Sequence, residues 1–385
     1  MKYLSVWTAD WRALCAGGLL IGVVAFAALG LAQPPRGPTS PPGPIVIDGS
    51  STVEPVTSAI AEEFRKTEQG KNVRITVGIS GTGGGFKKFC SDNPPERTDI
   101  QDASRPITAK EHEKCTKNQI KYIEIPVAID GLAVVVNKQN SWARCLTVGE
   151  LGRMWEPSAE GKIKSWKQIR ATFPDRPLVL AGPGPDSGTF DFFTEVIVGK
   201  AKASRGDYLA SEDDNVIVQA VAGDINALGY FGLAYLEQNL DELIGVTIDP
   251  SLNVDLKSDA ECKGVEPNFD NVLKGTYQPL SRPIFIYPNL VSVNGKPEMV
   301  QFVTFYLGKD GVRKEVKDRR NPGKTTLLVR QVGYVEFPDK VYELALVCFN
   351  KRITGSAFVG KDGKPIGFAT VPQVITQLEK RCKSL

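Results

Sequence analysis

Ile45-Val46-Ile47-Asp48-Gly49-Ser50-Ser51-Thr52-Val53-Glu54-Pro55 reads as a short apolar strand, a turn of small polar residues and the opening of a helix. The amphipathic stretch VTSAIAEEFRK, Val56 to Lys66, carries that helix on. The same order recurs at three further places: Val73 to Val77 runs into Ser80-Gly81-Thr82-Gly83-Gly84-Gly85-Phe86, Thr98-Asp99-Ile100 precedes Asp102-Ala103-Ser104-Arg105-Pro106, and Leu178-Val179-Leu180 precedes Gly182 to Thr189, with FDFFTEVI behind. Such repetition predicts an α/β fold, and open α/β sheets bind ligands at the carboxyl ends of their strands. Each turn sets unpaired backbone N–H groups and short hydroxyls at the positive end of a helix, which attracts anions. Taken singly, Ser and Thr are ordinary helix caps and Gly an ordinary turn residue. Four such turns in one chain predict a convergent oxyanion site between two α/β lobes.

Composition narrows the classes. The chain has 385 residues, with 47 Lys+Arg against 44 Asp+Glu, so 47 − 44 gives a net charge of +3. That balance excludes a nucleic-acid-binding arm or a polyanionic tail. With 42% apolar and 24% charged residues the chain is globular, and its length fits about two domains. Its single histidine, His112, rules out a His-rich zinc site and sits in KEHEKC, which reads as solvated helix surface. No metal or cofactor is expected.

Residues 1–32 read as a signal peptide or membrane anchor: Lys2 and Arg12 precede an unbroken run of apolar and small residues from Ala13 to Ala32. Cleavage is expected after Ala32; an uncleaved segment would tether the protein. Residues 33–44, QPPRGPTSPPGP, form a Pro-rich extended linker. Export leaves Cys90, Cys115, Cys145, Cys262, Cys348 and Cys382 in an oxidising compartment, where disulfides outrank metal or catalytic roles. Cys90 with Cys115 and Cys348 with Cys382 are the expected pairs, because they close short loops; buried free thiols are the alternative.

Competing motifs fail. Gly78-Ile79-Ser80-Gly81-Thr82 lacks the final Gly of a nucleophile elbow, and Asp318 stands where the first Gly of a nucleotide loop ending Gly323-Lys324-Thr325 belongs. No G-x-G-x-x-G follows the first strand, and serine hydrolysis would need His112 to meet one of the distant Ser turns.

DGSSTVEPV (Asp48 to Val56), SGTGGGF (Ser80 to Phe86), DASRPI (Asp102 to Ile107), DSGTFDFFTE (Asp186 to Glu195) and ALGYFGLAY (Ala227 to Tyr235), in this order and spacing, resemble the phosphate-binding proteins of bacterial high-affinity phosphate ABC transporters, and among them the cyanobacterial-type branch. The resemblance covers Ile45 to Leu385. It implies a two-lobed periplasmic-binding-protein-like clamp of type II with two hinge crossings: near Ala128 to Val136 and back near Pro283 to Tyr287. Residues 45–130 and 287–385 would form a discontinuous domain I, containing helices at Pro297 to Leu307 and Pro338 to Lys351, and residues 131–286 domain II. Gly229-Tyr230-Phe231 would be a strand with no ligand role.

By the same resemblance the phosphate ligands fall on Ser51 and Thr52, on Ser80 with Thr82 as the alternative alignment, and on Ser187, Gly188 and Thr189. Better-known members place in the third turn an Asp that accepts the phosphate proton, and an Arg four residues before the S-G-T turn. Here those places hold Ser104-Arg105 and Pro183. Arg105 is therefore expected to supply a relocated bidentate guanidinium and Ser104 a further hydroxyl, with Asp186 or Asp48 as replacement acceptors. The expected function is a periplasmic, monomeric, non-enzymatic receptor that binds inorganic phosphate and delivers it to an ABC transporter permease, with no nucleic-acid partner. The alternatives are a receptor for another tetrahedral oxyanion such as sulfate, and, of a different class, a phosphoester hydrolase.

Overall fold

Strand β1 (Ile45–Gly49) buries Ile45 and Ile47 and leads into α1 (Glu54–Arg65), which carries Pro55 in its first turn and buries Val56, Ile60 and Phe64 at helical spacing. A computed structural model describes residues 43–319, 322–359 and 370–382, so the leader and nearly all of the linker lie outside the described residues. Strand β2 (Ile75–Ile79) starts two residues later than Val73 and feeds α2 (Gly81–Phe89), so the glycine-rich stretch is itself the first half of a helix. Strand β3 (Ile100–Ala103) is followed by α3 (Ala109–Lys117), whose start Thr108 and Glu111 close with a reciprocal capping box.

The long strand β4 (Ile125–Asn137), IPVAIDGLAVVVN, is buried along all 13 residues, as an almost continuous apolar run in a central strand should be. After it come β5 (Cys145–Thr147), α4 (Val148–Trp155), β6 (Val179–Gly182), α5 (Gly188–Phe193), β7 (Leu209–Ala210), β8 (Ala227–Gly232), β9 (Leu243–Gly245), β10 (Thr247–Asp249) and β11 (Ser281–Pro288). Among the described residues the main sheet has the order β2-β1-β3-β11-β4-β8-β6-β7, with β9 added to β4.

β4 serves both halves of this sheet. From Ile125 to Gly131 it pairs antiparallel with β11, and from Leu132 to Val136 it pairs with β8. The register with β11 slips where Pro126, which has no N–H to give, faces Phe285. β11 pairs with β3 and with the first half of β4. The expected crossing segments are thus strands, and Gly229-Tyr230-Phe231 lies in β8.

The helices expected at Pro297 and Pro338 run Pro297–Leu307 and Asp339–Asn350. Among the described residues three disulfides join Cys90 to Cys115, Cys348 to Cys382 and Cys145 to Cys262. The first two are the short-loop pairs. His112 departs from the solvated-surface reading: it is half-buried, its Nδ1 lies 2.7 Å from the Tyr122 hydroxyl, and the two rings meet edge to face.

Candidate functional site

The parallel register sets Gly49 opposite both Ile79 and Asp102, so β1, β2 and β3 end together and their three turns leave the sheet side by side. Gly49 makes this possible. Its φ is +148°, and a Cβ there would stand 2.1 Å from the Asp102 carbonyl, which accepts the Ser50 N–H at 2.9 Å.

The fourth turn docks on the first. A Cβ on Gly188 would lie 2.5 Å from the Thr52 nitrogen, and the Thr52 hydroxyl donates to the Gly188 carbonyl at 3.2 Å. Between them opens a cleft of about 250 Å³ lined by Ser51, Ser187, Gly188 and Thr189, with Glu54, Asp130, Asp186, Glu212, Asp214 and Tyr334. Four of the expected ligands share it. Ser187 caps α5 by accepting the Thr189 N–H at 3.2 Å, which leaves its proton to point elsewhere. Thr52 is buried behind the wall with its proton committed to Gly188, and its carbonyl accepts from the Tyr334 hydroxyl at 2.5 Å.

Ser80, Thr82, Ser104 and Arg105 are absent from the described residues lining this cleft, and each is engaged elsewhere. Thr82 Oγ1 lies 3.0 Å from Ser104 Oγ and accepts the Ser104 N–H at 3.1 Å. Ser80 donates its hydroxyl proton to Asp48, which also holds Lys88 Nζ at 2.6 Å. Asp48 is thereby occupied, whereas Asp186 faces the cleft, so of the two replacement acceptors only Asp186 lines it.

Arg105 is not an unpaired guanidinium. Its fork grips both oxygens of Glu111 at 2.9 Å, and Nη1 also donates to the Pro106 carbonyl at 3.1 Å. Burial works against its charge, but the Glu111 pair restores it and holds the pKa above the usual value.

Two charged residues were missed by the sequence reading. Arg282 on β11 stands opposite Asp130 on β4 and is 7% exposed. Burial pushes the Asp130 carboxyl up to about 6, with Arg282 pulling it back, and burial also lowers the Arg282 pKa against the opposing pull of Asp130 and Glu195. The available signal was Asp130 itself: one carboxylate inside an apolar 13-residue strand requires a buried partner.

Asp102 stands apart. It is buried, neither carboxylate oxygen has a hydrogen-bond partner, and burial holds its pKa well above the usual range. Thr57 opposes this shift, but its hydroxyl pairs with Tyr306 at 3.1 Å.

A profile of the PBP superfamily domain matches residues 34–310. The chain is 43% identical over 340 residues to the protein SphX of Synechocystis sp., covering 88% of this chain and 92% of that protein. It is 35% identical over 324 residues to the phosphate-binding protein PstS of Staphylococcus saprophyticus, covering 84% and 87% respectively. The crystal structure of a possible phosphate binding protein from Planctomyces limnophilus is similar to it with a TM-score of 0.68 and 42% identity, over 81% of this chain and 99% of that one.

Proposed function

We propose a function from one premise: the chain belongs to the PBP superfamily, among the relatives of the PstS phosphate-binding proteins. It captures inorganic phosphate between two lobes and hands it to the membrane permease of an ABC transporter, acting as an exported, monomeric, periplasmic receptor and not as an enzyme. The lobes in this reading are residues 45–130 with 287–385 and residues 131–286, hinged where β4 and β11 cross. One observation carries the proposal. Hydroxyls from the first and fourth turns, Ser51 on one side and Ser187 and Thr189 on the other, line one small cleft whose wall, among the described residues, holds five carboxylates and no lysine or arginine.

A cleft of that composition favours a particular guest. Neutral hydroxyl and N–H donors surround a tetrahedral anion without a large net charge. The carboxylates repel a fully deprotonated oxyanion but accept a bond from one that keeps a proton, which favours phosphate over sulfate. Asp186 is assigned this acceptor role. Ser51, Ser187, Gly188 and Thr189 hold the anion; Thr52, Ser80, Thr82, Ser104 and Arg105 stand behind or beside them, with the Arg105 charge already matched by Glu111. Calorimetric titration with phosphate and with sulfate at pH 6 and pH 8 tests this. Phosphate is expected to bind more tightly at both values, and a preference for sulfate would reject the ligand assignment. Turnover of a phosphomonoester by the purified protein would overturn the receptor reading altogether.

A further inference from the structure

The Arg282 guanidinium is a junction of four chain segments. Nε faces Asp130 Oδ2 on β4, Nη1 faces Glu195 Oε2 just beyond α5, and Nη2 donates to Thr52 Oγ1 in the first turn, each at 3.4 Å. Its flat face lies on the Phe192 ring of α5, 3.7 Å from the centroid. The Thr52 hydroxyl that accepts from Arg282 passes its own proton to the Gly188 carbonyl at 3.2 Å. One buried cation is therefore connected to both rims of the cleft, although it is not among the residues lining it.

These contacts divide into two kinds. Asp130 is the cross-strand neighbour of Arg282 and keeps it company whatever the rims do. Thr52, Phe192 and Glu195 belong to the elements that form the rims. A buried guanidinium left without partners is costly, so the rims that bury Arg282 must also satisfy it. At 3.4 Å each polar contact is long, which suits a fastening that can open.

We propose that Arg282 is a positioning residue: it holds Thr52 and α5 together so that Ser51 and the Ser187-Gly188-Thr189 turn face one another across the cleft, without itself touching the anion. This rests on reading the cleft as an oxyanion receptor. Arg282→Lys keeps a cation beside Asp130 but cannot span three acceptors and a ring. Glu195→Gln changes a partner whose side chain is 49% exposed and leaves the core intact.

The test is stopped-flow measurement of phosphate association and dissociation, with thermal unfolding of the phosphate-free protein alongside. Arg282→Lys is expected to speed dissociation about tenfold or more while association stays within about threefold. Glu195→Gln should shift dissociation the same way by about threefold. Both should unfold near the unsubstituted protein, which a merely structural role would not allow. Folded variants with unchanged dissociation overturn the proposal, and if Arg282→Lys does not fold, Glu195→Gln decides alone. Should the unsubstituted protein bind no phosphate, the proposed function falls. The positioning role is then judged by solution scattering of Glu195→Gln, where an unchanged radius of gyration overturns it and an enlarged one supports it.

Discussion

Gly188 packs its Cα face directly onto Thr52, leaving no room for a methyl group. Gly188→Ala should therefore push the rims apart while leaving each half folded, and phosphate affinity should fall about tenfold or more with little change in unfolding temperature. Calorimetry beside a thermal scan separates the two; retained affinity would mean the rims need not meet. Asp102 gives a second prediction at this scale. Its folded pKa is raised, so the unfolded state loses its proton first, and stability present below about pH 4 declines as pH rises, by up to about 1.4 kcal/mol per unit. Asp102→Asn should remove that decline. Denaturant unfolding from pH 4 to pH 8 should show the variant gaining on the unsubstituted protein as pH rises, and parallel curves would reject a buried neutral carboxyl. The turns that carry Ser51, Ser187 and Thr189 were legible because short polar residues between strand and helix are a local pattern. Arg105 also stood out, but its pairing with Glu111, six residues on, depends on how the third turn folds back on α3. Arg282 left almost no trace, because its partners Asp130, Glu195 and Thr52 lie 152, 87 and 230 residues away in sequence.

Strands and helices announce themselves through periodicity and caps, which are properties of neighbouring residues. The four strand-turn-helix units, the apolar run of β4 and the helices near Pro297 and Pro338 were readable for that reason. The glycine-rich stretch was read as a turn, yet Gly81–Phe89 is helical, held by packing of Phe86 and Phe89 that outweighs the poor helix propensity of its glycines. The disulfides divide by the same logic. Cys90–Cys115 and Cys348–Cys382 span 25 and 34 residues, whereas Cys145–Cys262 spans 117 and joins segments brought together by long-range contacts such as the pairing of β5 with β10. Closing the longest loop constrains the unfolded chain most in the loop-entropy account, by about 4 to 5 kcal/mol. Replacing both Cys145 and Cys262 by Ala should thus destabilise the protein by about 2 to 5 kcal/mol, and more than removing the Cys90–Cys115 pair. Equilibrium denaturation of the two double variants orders them; the reverse order would show that strain or local packing, and not loop length, sets their value.

At the scale of the molecule, β11 inserts between β3 and β4 although it follows β4 by well over a hundred residues, and β4 exchanges one set of partners for another between Gly131 and Leu132. Neither feature has a local signature, so the strands could be placed from the sequence but their pairing could not. Their consequence is mechanical. A ligand moves an equilibrium between separated and apposed rims only by as much as it prefers one of them, and under the proposed function an anion shared by Ser51 and Thr189, which line one cleft, would be held fully only when the rims meet. Phosphate should then both compact the protein and stabilise it against unfolding, by about 4 kcal/mol at a thousandfold excess over its dissociation constant. Sulfate at equal concentration should do neither, since it brings no proton to the carboxylate-lined wall. Solution scattering and thermal unfolding, each with phosphate, with sulfate and with neither, measure the two effects separately. Stabilisation without compaction would leave phosphate as the ligand but remove rim closure from the mechanism, and equal responses to the two anions would remove the carboxylates from the account of selectivity.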